Sequence, residues 1–326
     1  MVALKVIYNV ALLFIMMLPG IIMKKCKLSV DGFGKGISNL VLYVAQPALI
    51  FTAYLRPYSE EILLNSVYVL VLSILVHVVF AVVAMNTYKK APDAMRRMLR
   101  FATIFSNAAF MGIPLISAVL EDTYPGATVY ASIYNITFNL FLWSLGVYIC
   151  TDKRDVNENG IEDDEEYIKH GASPLKALYH PVTIAAAIGL VFFILPINDY
   201  VPSIIEEAFV MLKNLVAPLS MVVIGLRLAD MDFKGIFKDK FMYLFLALRH
   251  ILLPLAALAI VKIAGCILPV SEVVEMAVVI MAAAPAATSA TMFAEMYDCD
   301  ANYVSKLVTV STLLSIATMP LIIMLV

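Results

Sequence analysis

The chain has 326 residues, of which 62% are hydrophobic and 15% are charged, with a formal net charge of −2. A soluble domain carries about 25% charged residues, so lipid is expected to solvate most of this chain. Near-neutral charge points to neither an acidic nor a basic partner, and no nucleic acid is expected. Cys26, Cys150, Cys266 and Cys299 are scattered without a CxxC pair, which argues against a zinc site and a disulfide framework. No cofactor is expected.

A bilayer core about 30 Å thick needs roughly 20 apolar residues in a helix. In chain order, such stretches fall at 4–23, 36–55, 62–85, 101–120 and 127–150, then at 178–197, 206–228, 242–264, 274–294 and 304–326. The first holds Lys5 and then an apolar run to Met23. With no small-residue cleavage site after it, it reads as a retained span and not a removed signal peptide. Strands are excluded because a spanning segment must satisfy its own backbone in lipid and no barrel-type alternation is present. The expected fold is therefore an all-α polytopic membrane protein with ten transmembrane helices. Residues 1–150 form a first five-helix repeat, 151–177 an acidic cytoplasmic loop, and 178–326 a second repeat.

Within this order, the few polar groups inside spans are the candidates for function. His77, deep in span 3, is a candidate for proton coupling or a histidine bonded within a helix interface, the latter favoured. Span 4 reads Asn107-Ala-Ala-Phe-Met-Gly112-Ile-Pro114. Proline removes a backbone donor and clashes with the preceding turn, and Gly112 lowers the cost of unwinding there. The 151–177 loop contains Asp155, Asn157, Asn159, Gly160 and Glu166 at the spacing of an EF-hand calcium loop. Glu162 stands where that loop wants a hydrophobic residue, so a solvated acidic linker is favoured over a calcium site.

Arg249 lies about two turns into span 8. It could pair with a substrate carboxylate, but snorkelling to the cytoplasmic headgroups is favoured. Span 9 contains Pro285, Thr288, Ser289 and Thr291, and Glu295 near its inner end either titrates during transport or reaches water. If spans 4 and 9 both break and cross, two half-helix N-termini meet, an arrangement suited to an anion. Asn107, Thr288, Ser289 and Thr291 would add neutral hydrogen-bonding groups. The alternative is that Pro114 and Pro285 merely kink continuous helices.

Most Lys and Arg residues fall in the connections after spans 1, 3, 5, 7 and 9. By the positive-inside rule this places the central loop in the cytoplasm and both termini outside. A duplicated unit of five spans must insert inverted. Pro47 and Pro218 are 171 residues apart, as are Pro114 and Pro285, and both pairs occupy equivalent spans. Interrupted helices at matching places in inverted repeats point to a transporter site near the midplane.

The sequence resembles the auxin efflux carrier family, which includes bacterial malate permeases and is related in fold to the bile acid:sodium symporters. The resemblance rests on Gln46-Pro47-Ala48-Leu49-Ile50-Phe51, Asn107 through Leu115, Asn139 ahead of Gly146, and Ala217-Pro218-Leu219 before Gly225. Ala284-Pro285-Ala286 and the span 10 run Ser311 to Ser315 with Thr318-Met319-Pro320 complete it. It covers nearly the whole chain. It implies two inverted five-helix repeats with broken, crossing helices 4 and 9, a scaffold and a transport domain, organic-anion substrates such as dicarboxylates, and elevator-like alternating access. The site it implies comprises Asn107, Gly112, Ile113, Pro114, Asn139, Pro285, Thr288 and Thr291, with His77, Arg249 and Glu295 as coupling candidates for a proton or sodium ion. Family members often form homodimers. A plant-type Asn-Pro-Asn signature is absent at the first crossover, which speaks against auxin itself.

The expected function is a secondary permease of small organic anions in the cell membrane. A channel, or a sensor using the acidic loop, is the alternative. No HExxH, GxSxG or phosphate-cradling motif supports an enzyme or direct use of ATP.

Overall fold

A computed structural model describes the chain except for Met1, Asp31, 152–177, 196, 198–199, 230–238 and 298; side chains are described from residue 8 onward. The calcium-loop candidates Asp155, Asn157, Asn159 and Glu166 lie outside the described residues. Among the described residues the secondary structure is helical, with one isolated antiparallel bridge and no named strand.

The helices are α1 (Val2–Ile15), α2 (Leu18–Lys25), α3 (Phe33–Tyr54), α4 (Glu60–Asn86), α5 (Asp93–Ile104), α6 (Ala108–Val119) and α7 (Ala127–Cys150). Then follow α8 (Pro181–Ile194), α9 (Ser203–Lys213), α10 (Val216–Ala229), α11 (Lys240–Gly265), α12 (Glu272–Ala283), α13 (Ser289–Met296) and α14 (Ala301–Ile323). Seven stretches among the described residues are long and apolar enough to cross a membrane: Tyr8–Lys25, Phe33–Tyr54, Glu60–Asn86, Ala127–Cys150, Ser203–Ala229, Lys240–Gly265 and Ala301–Ile323. The three other expected spans depart from a continuous 20-residue helix. The fourth and ninth are each split in two. The sixth is reduced to α8, whose 14 residues reach only about 21 Å.

Polarity is distributed as lipid demands. Between the exposed polar ends of α4 (Glu60, Glu61 and Asn86) the exposed positions are Leu64, Val67, Leu70, Val71, Ile74, Leu75, Val78 and Val82, whereas Asn65, Ser73 and His77 are buried. The outward face is the apolar one and the polar groups turn inward, the reverse of a water-soluble helix. The helix begins at Ser59, whose hydroxyl accepts from the Ile62 N–H, with Glu60 and Glu61 in its first turn.

Four helices contain a π-helical turn: Val41–Ala45, Ala108–Gly112, Leu142–Gly146 and Leu248–Leu252. Three of these turns end two residues before a proline, namely Pro47, Pro114 and Pro254. The widened turn absorbs the missing N–H and the ring clash that proline brings to a helix interior. Pro114 therefore sits in an unbroken helix. The unwinding expected at Gly112–Pro114 lies instead at Phe105–Asn107, upstream of the π-turn.

The helices sort into two groups. In one, α2 and α3 pack against α8, α9 and α10. Its tightest seam is between α2 and α10: a Cβ on Gly20 would lie 2.2 Å from the Val222 carbonyl oxygen, and one on Gly225 would lie 2.1 Å from that of Met17. Only glycine permits this approach. In the other group α4, α5, α7, α11, α12, α13 and α14 pack together around the two broken helices, with α1 against α14 and α6.

Candidate functional site: the crossover and its cavity

The two breaks meet. After α5 the chain turns extended at Phe105 (φ −91°, ψ 116°), and after α12 it does so at Ala284 (φ −55°, ψ 148°). Proline disfavours the helical region for the residue before it, so Pro285 dictates the second turn. The two extended pieces run antiparallel and bridge at Ser106 and Ala286. The Asn107 N–H donates to the Pro285 carbonyl at 2.6 Å and the Ala287 N–H to the Phe105 carbonyl at 2.9 Å. The Ala286 N–H, which faces away from that pair, donates to the Ser311 hydroxyl at 2.9 Å. Non-helical backbone at this depth is tolerable only when its polar groups are satisfied in this way.

The crossover has two chemically distinct ends. Toward one lie the C-termini of α5 and α12. The buried Arg249 guanidinium donates there to the carbonyls of Thr103 (3.1 Å), Ala282 (2.7 Å) and Ala284 (Nε, 3.1 Å). Snorkelling is thus overturned: Arg249 is fully buried and points at helix ends, and its donors are engaged by backbone oxygen. Next to it, His250 Nε2 bonds the Ser311 hydroxyl at 2.8 Å and Nδ1 the Thr318 hydroxyl at 2.9 Å. His77 bonds the Ser73 carbonyl at 2.7 Å and stacks on Phe141.

Toward the other end lie the N-termini of α6 and α13, and beyond them opens a cavity of about 550 Å³. Its mouth carries Lys24, Lys35 and Arg227 with Glu295, and its floor is formed by Ser106, Asn107 and Ala287. Phe110, Phe138 and Trp143 supply apolar wall. Several buried polar atoms in this lining have no partner among the described residues: Gln46 Oε1, Asn107 Nδ2, Asn135 Oδ1, Asn139 Nδ2 and the Ser289 hydroxyl. Buried polar groups without partners are rare and need a reason; here they surround an opening large enough for a small solute. Arg227 reaches from α10 to the Thr288 carbonyl (2.9 Å) and the Thr291 hydroxyl (3.3 Å), fastening the start of α13.

The family model described as "Membrane transport protein" matches residues 5–323. The chain belongs to this family, that of the auxin efflux carriers. It is a multi-pass membrane protein and a membrane transporter, as the family's members are. No curated protein matches the chain.

Of the residues singled out in the sequence of this family member, Asn107, Asn139, Thr288, Thr291 and Glu295 line the cavity. Gly112, Ile113, Pro114, Pro285, His77 and Arg249 do not. Gly112 is packed so closely that a Cβ would lie 2.6 Å from Met281 Sδ, which joins α6 to α12. Pro285 shapes the break from behind. Gln46, Asn135 and Arg227 were not singled out as site residues. Gln46 opens a run that carries the family resemblance and Asn135 sits one helical turn before Asn139, but nothing in a linear string distinguishes a buried amide facing a cavity from one bonded in a core. Arg227 reads as an ordinary basic residue at a span end.

Proposed function

We propose that this transporter is a secondary carrier of small organic anions, with dicarboxylates the leading class, and that access to its site alternates across the α5/α6 and α12/α13 crossover. The observation that carries the reading is the pair of helix N-termini, α6 and α13, facing one cavity ringed by unpaired amides and hydroxyls. Each N-terminus presents about half a positive charge and backbone N–H groups without helical partners. An anionic oxygen at the floor would meet both dipoles, and the amides of Asn107 and Asn139 would complete its hydrogen bonds.

In this reading the seven full-length helices, the two broken ones and α8 form ten spans, arranged as two inverted repeats of five. The irregularities support it: α3 and the α9–α10 helix each change geometry just before a proline, Pro47 and Pro218. The group containing α2, α3, α8, α9 and α10 acts as scaffold, and the group built on the broken helices carries the substrate. Lys24, Lys35 and Arg227 mark the mouth as the cytoplasmic side, which places both termini outside in the cell membrane and makes this conformation inward-open. A homodimer through the scaffold fits the same scheme.

The test is uptake of labelled dicarboxylates into proteoliposomes with imposed proton or sodium gradients. Saturable uptake that Asn107→Ala lowers by about tenfold is expected. Unsaturable conductance without coupling would replace the carrier by a channel, and absence of flux for every organic anion tried would remove the reading.

A further inference from the structure

Arg249 is buried without a carboxylate partner among the described residues. Its charge is answered by carbonyls at the ends of two helices, Thr103 at the end of α5 and Ala282 and Ala284 at the end of α12. A helix C-terminus carries about half a negative charge. Two of them converging amount to about one, which matches one guanidinium. The planar fork spans carbonyls from both breaks at once, a geometry that a point charge on a lysine cannot reproduce. Phe80 lies against the guanidinium with its ring centroid 5.7 Å away, adding a favourable face for a cation.

Converging, desolvated backbone carbonyls are also what a desolvated alkali-metal ion requires. In this chain that place is already taken. We propose that Arg249 is a resident cation filling the cation position behind the crossover, so that the broken helices stay assembled, and an anion binds on the opposite face, without sodium. The two C-terminal dipoles are then neutralised permanently, and the positive N-terminal ends remain available to the substrate through the whole cycle. The transport arm of this proposal rests on the carrier reading above; its stability arm does not.

Two measurements test it on the full-length protein. The first is the melting temperature of the purified wild type, and its anion uptake, titrated with sodium chloride against isosmotic choline chloride; no sodium-specific change is expected. The second replaces the side chain. Arg249→Ala is expected to melt lower and to lose uptake by about tenfold or more, and low-millimolar guanidinium, far below denaturing levels, is expected to restore both where choline does not. Arg249→Lys, which retains a charge, is expected to fold with intermediate stability and serves if the alanine variant cannot be purified. Saturable stabilisation or activation of the wild type by sodium overturns the proposal. So does an Arg249→Ala protein that matches the wild type, or one that folds and ignores guanidinium. Loss of every anion flux in the wild type strikes only the carrier reading, because the melting data still decide whether Arg249 stands in for a bound cation.

Discussion

Toward Arg249, the two breaks end in the carbonyls of Thr103, Ala282 and Ala284, which accept from one guanidinium, and the Ala286 N–H donates to a neighbouring hydroxyl. Toward the cavity, the same two breaks end in helix N-termini beside amides with ends that lack partners among the described residues. A pair of interrupted helices can thus be finished on one face as core and left on the other as the wall of a cavity, the candidate binding surface. The difference teaches how an unwound backbone survives inside a membrane. The negative helix ends converge on a buried guanidinium, and we propose that the positive ends are left free for a ligand. Substitutions on the engaged face should therefore cost folding, and substitutions on the open face should cost transport.

The largest expected effect is on the engaged face. Arg249→Met removes the guanidinium but keeps an unbranched apolar stem, leaving the carbonyls of Thr103, Ala282 and Ala284 buried without donors. Breaking one side of a buried charge arrangement costs about 3–5 kcal/mol. A strongly lowered melting temperature in detergent, or loss of the folded protein, is the expected result; an unchanged melting curve would contradict the division of labour between the faces. Ser311→Ala is the next largest. It strands the Ala286 N–H and frees His250 Nε2, a cost of about 1–3 kcal/mol for an unsatisfied buried group. Ser311→Thr, which restores the hydroxyl, should recover part of that loss.

The open face should respond in the opposite sense. Asn107→Ala removes an amide that has an unpaired end at the cavity floor. Transport should fall by about tenfold, equivalent to about 1.4 kcal/mol, whereas the melting temperature should shift little, as at positions where no core contact is lost. Asn139→Ala should behave alike. If either variant melts as low as Arg249→Met while transporting normally, the two faces have been assigned the wrong way round.

How far the sequence reveals this arrangement differs between its parts. Seven of the ten expected spans are legible from hydropathy because a bilayer has a fixed thickness; the other three stretches are interrupted or short among the described residues. The break after α12 is legible because Pro285 itself forbids the helix from continuing. Its counterpart is not, because Phe105-Ser106-Asn107 contains no residue that must break a helix. Tertiary pairing with Phe105's neighbours across the bridge holds that turn open, and the nearby Pro114 draws attention to a place where a π-turn keeps the helix intact. The equally spaced Pro114 and Pro285 thus play different local parts: Pro114 lies within a continuous helix and Pro285 within the extended break that bridges Ser106 to Ala286. Asn107, Asn139, Thr288 and Thr291 are visible as polar groups within apolar runs. Arg249 is visible in the same way, but its partners are backbone carbonyls from two distant helices, which no side-chain pattern records.

The smallest expected effect concerns the tie farthest from the cavity mouth. Arg56, just past α3, bonds the Glu121 carboxylate at 2.6 Å, and the same carboxylate accepts from the backbone N–H groups of Gly126 (3.0 Å) and Thr128 (2.8 Å). Gly126 has φ +108°, a conformation that suits glycine and that turns its N–H into this site. Burial pushes the Glu121 carboxyl up, but the hydrogen bonds from Thr128, Gly126 and Arg56 outweigh it and hold the group below its ordinary value. A lowered folded-state pKa means that the unfolded chain takes up the proton first as pH falls. The stabilisation is therefore complete above the ordinary glutamate range and lost as pH drops through the depressed value. Melting temperature should be flat from neutral pH down to about pH 5 and should decline below about pH 4, with Glu121→Gln removing this group's share of the decline. Because Arg56 follows α3 and Glu121 follows α6, helices of the proposed scaffold and of the broken pair, the same variant tests whether this tie holds the far side closed. If it does, Glu121→Gln should change the balance between inward and outward access, measured by accessibility of a cysteine placed at the cavity floor, while leaving the floor's own amides untouched. An identical labelling rate in both proteins would confine the tie to stability.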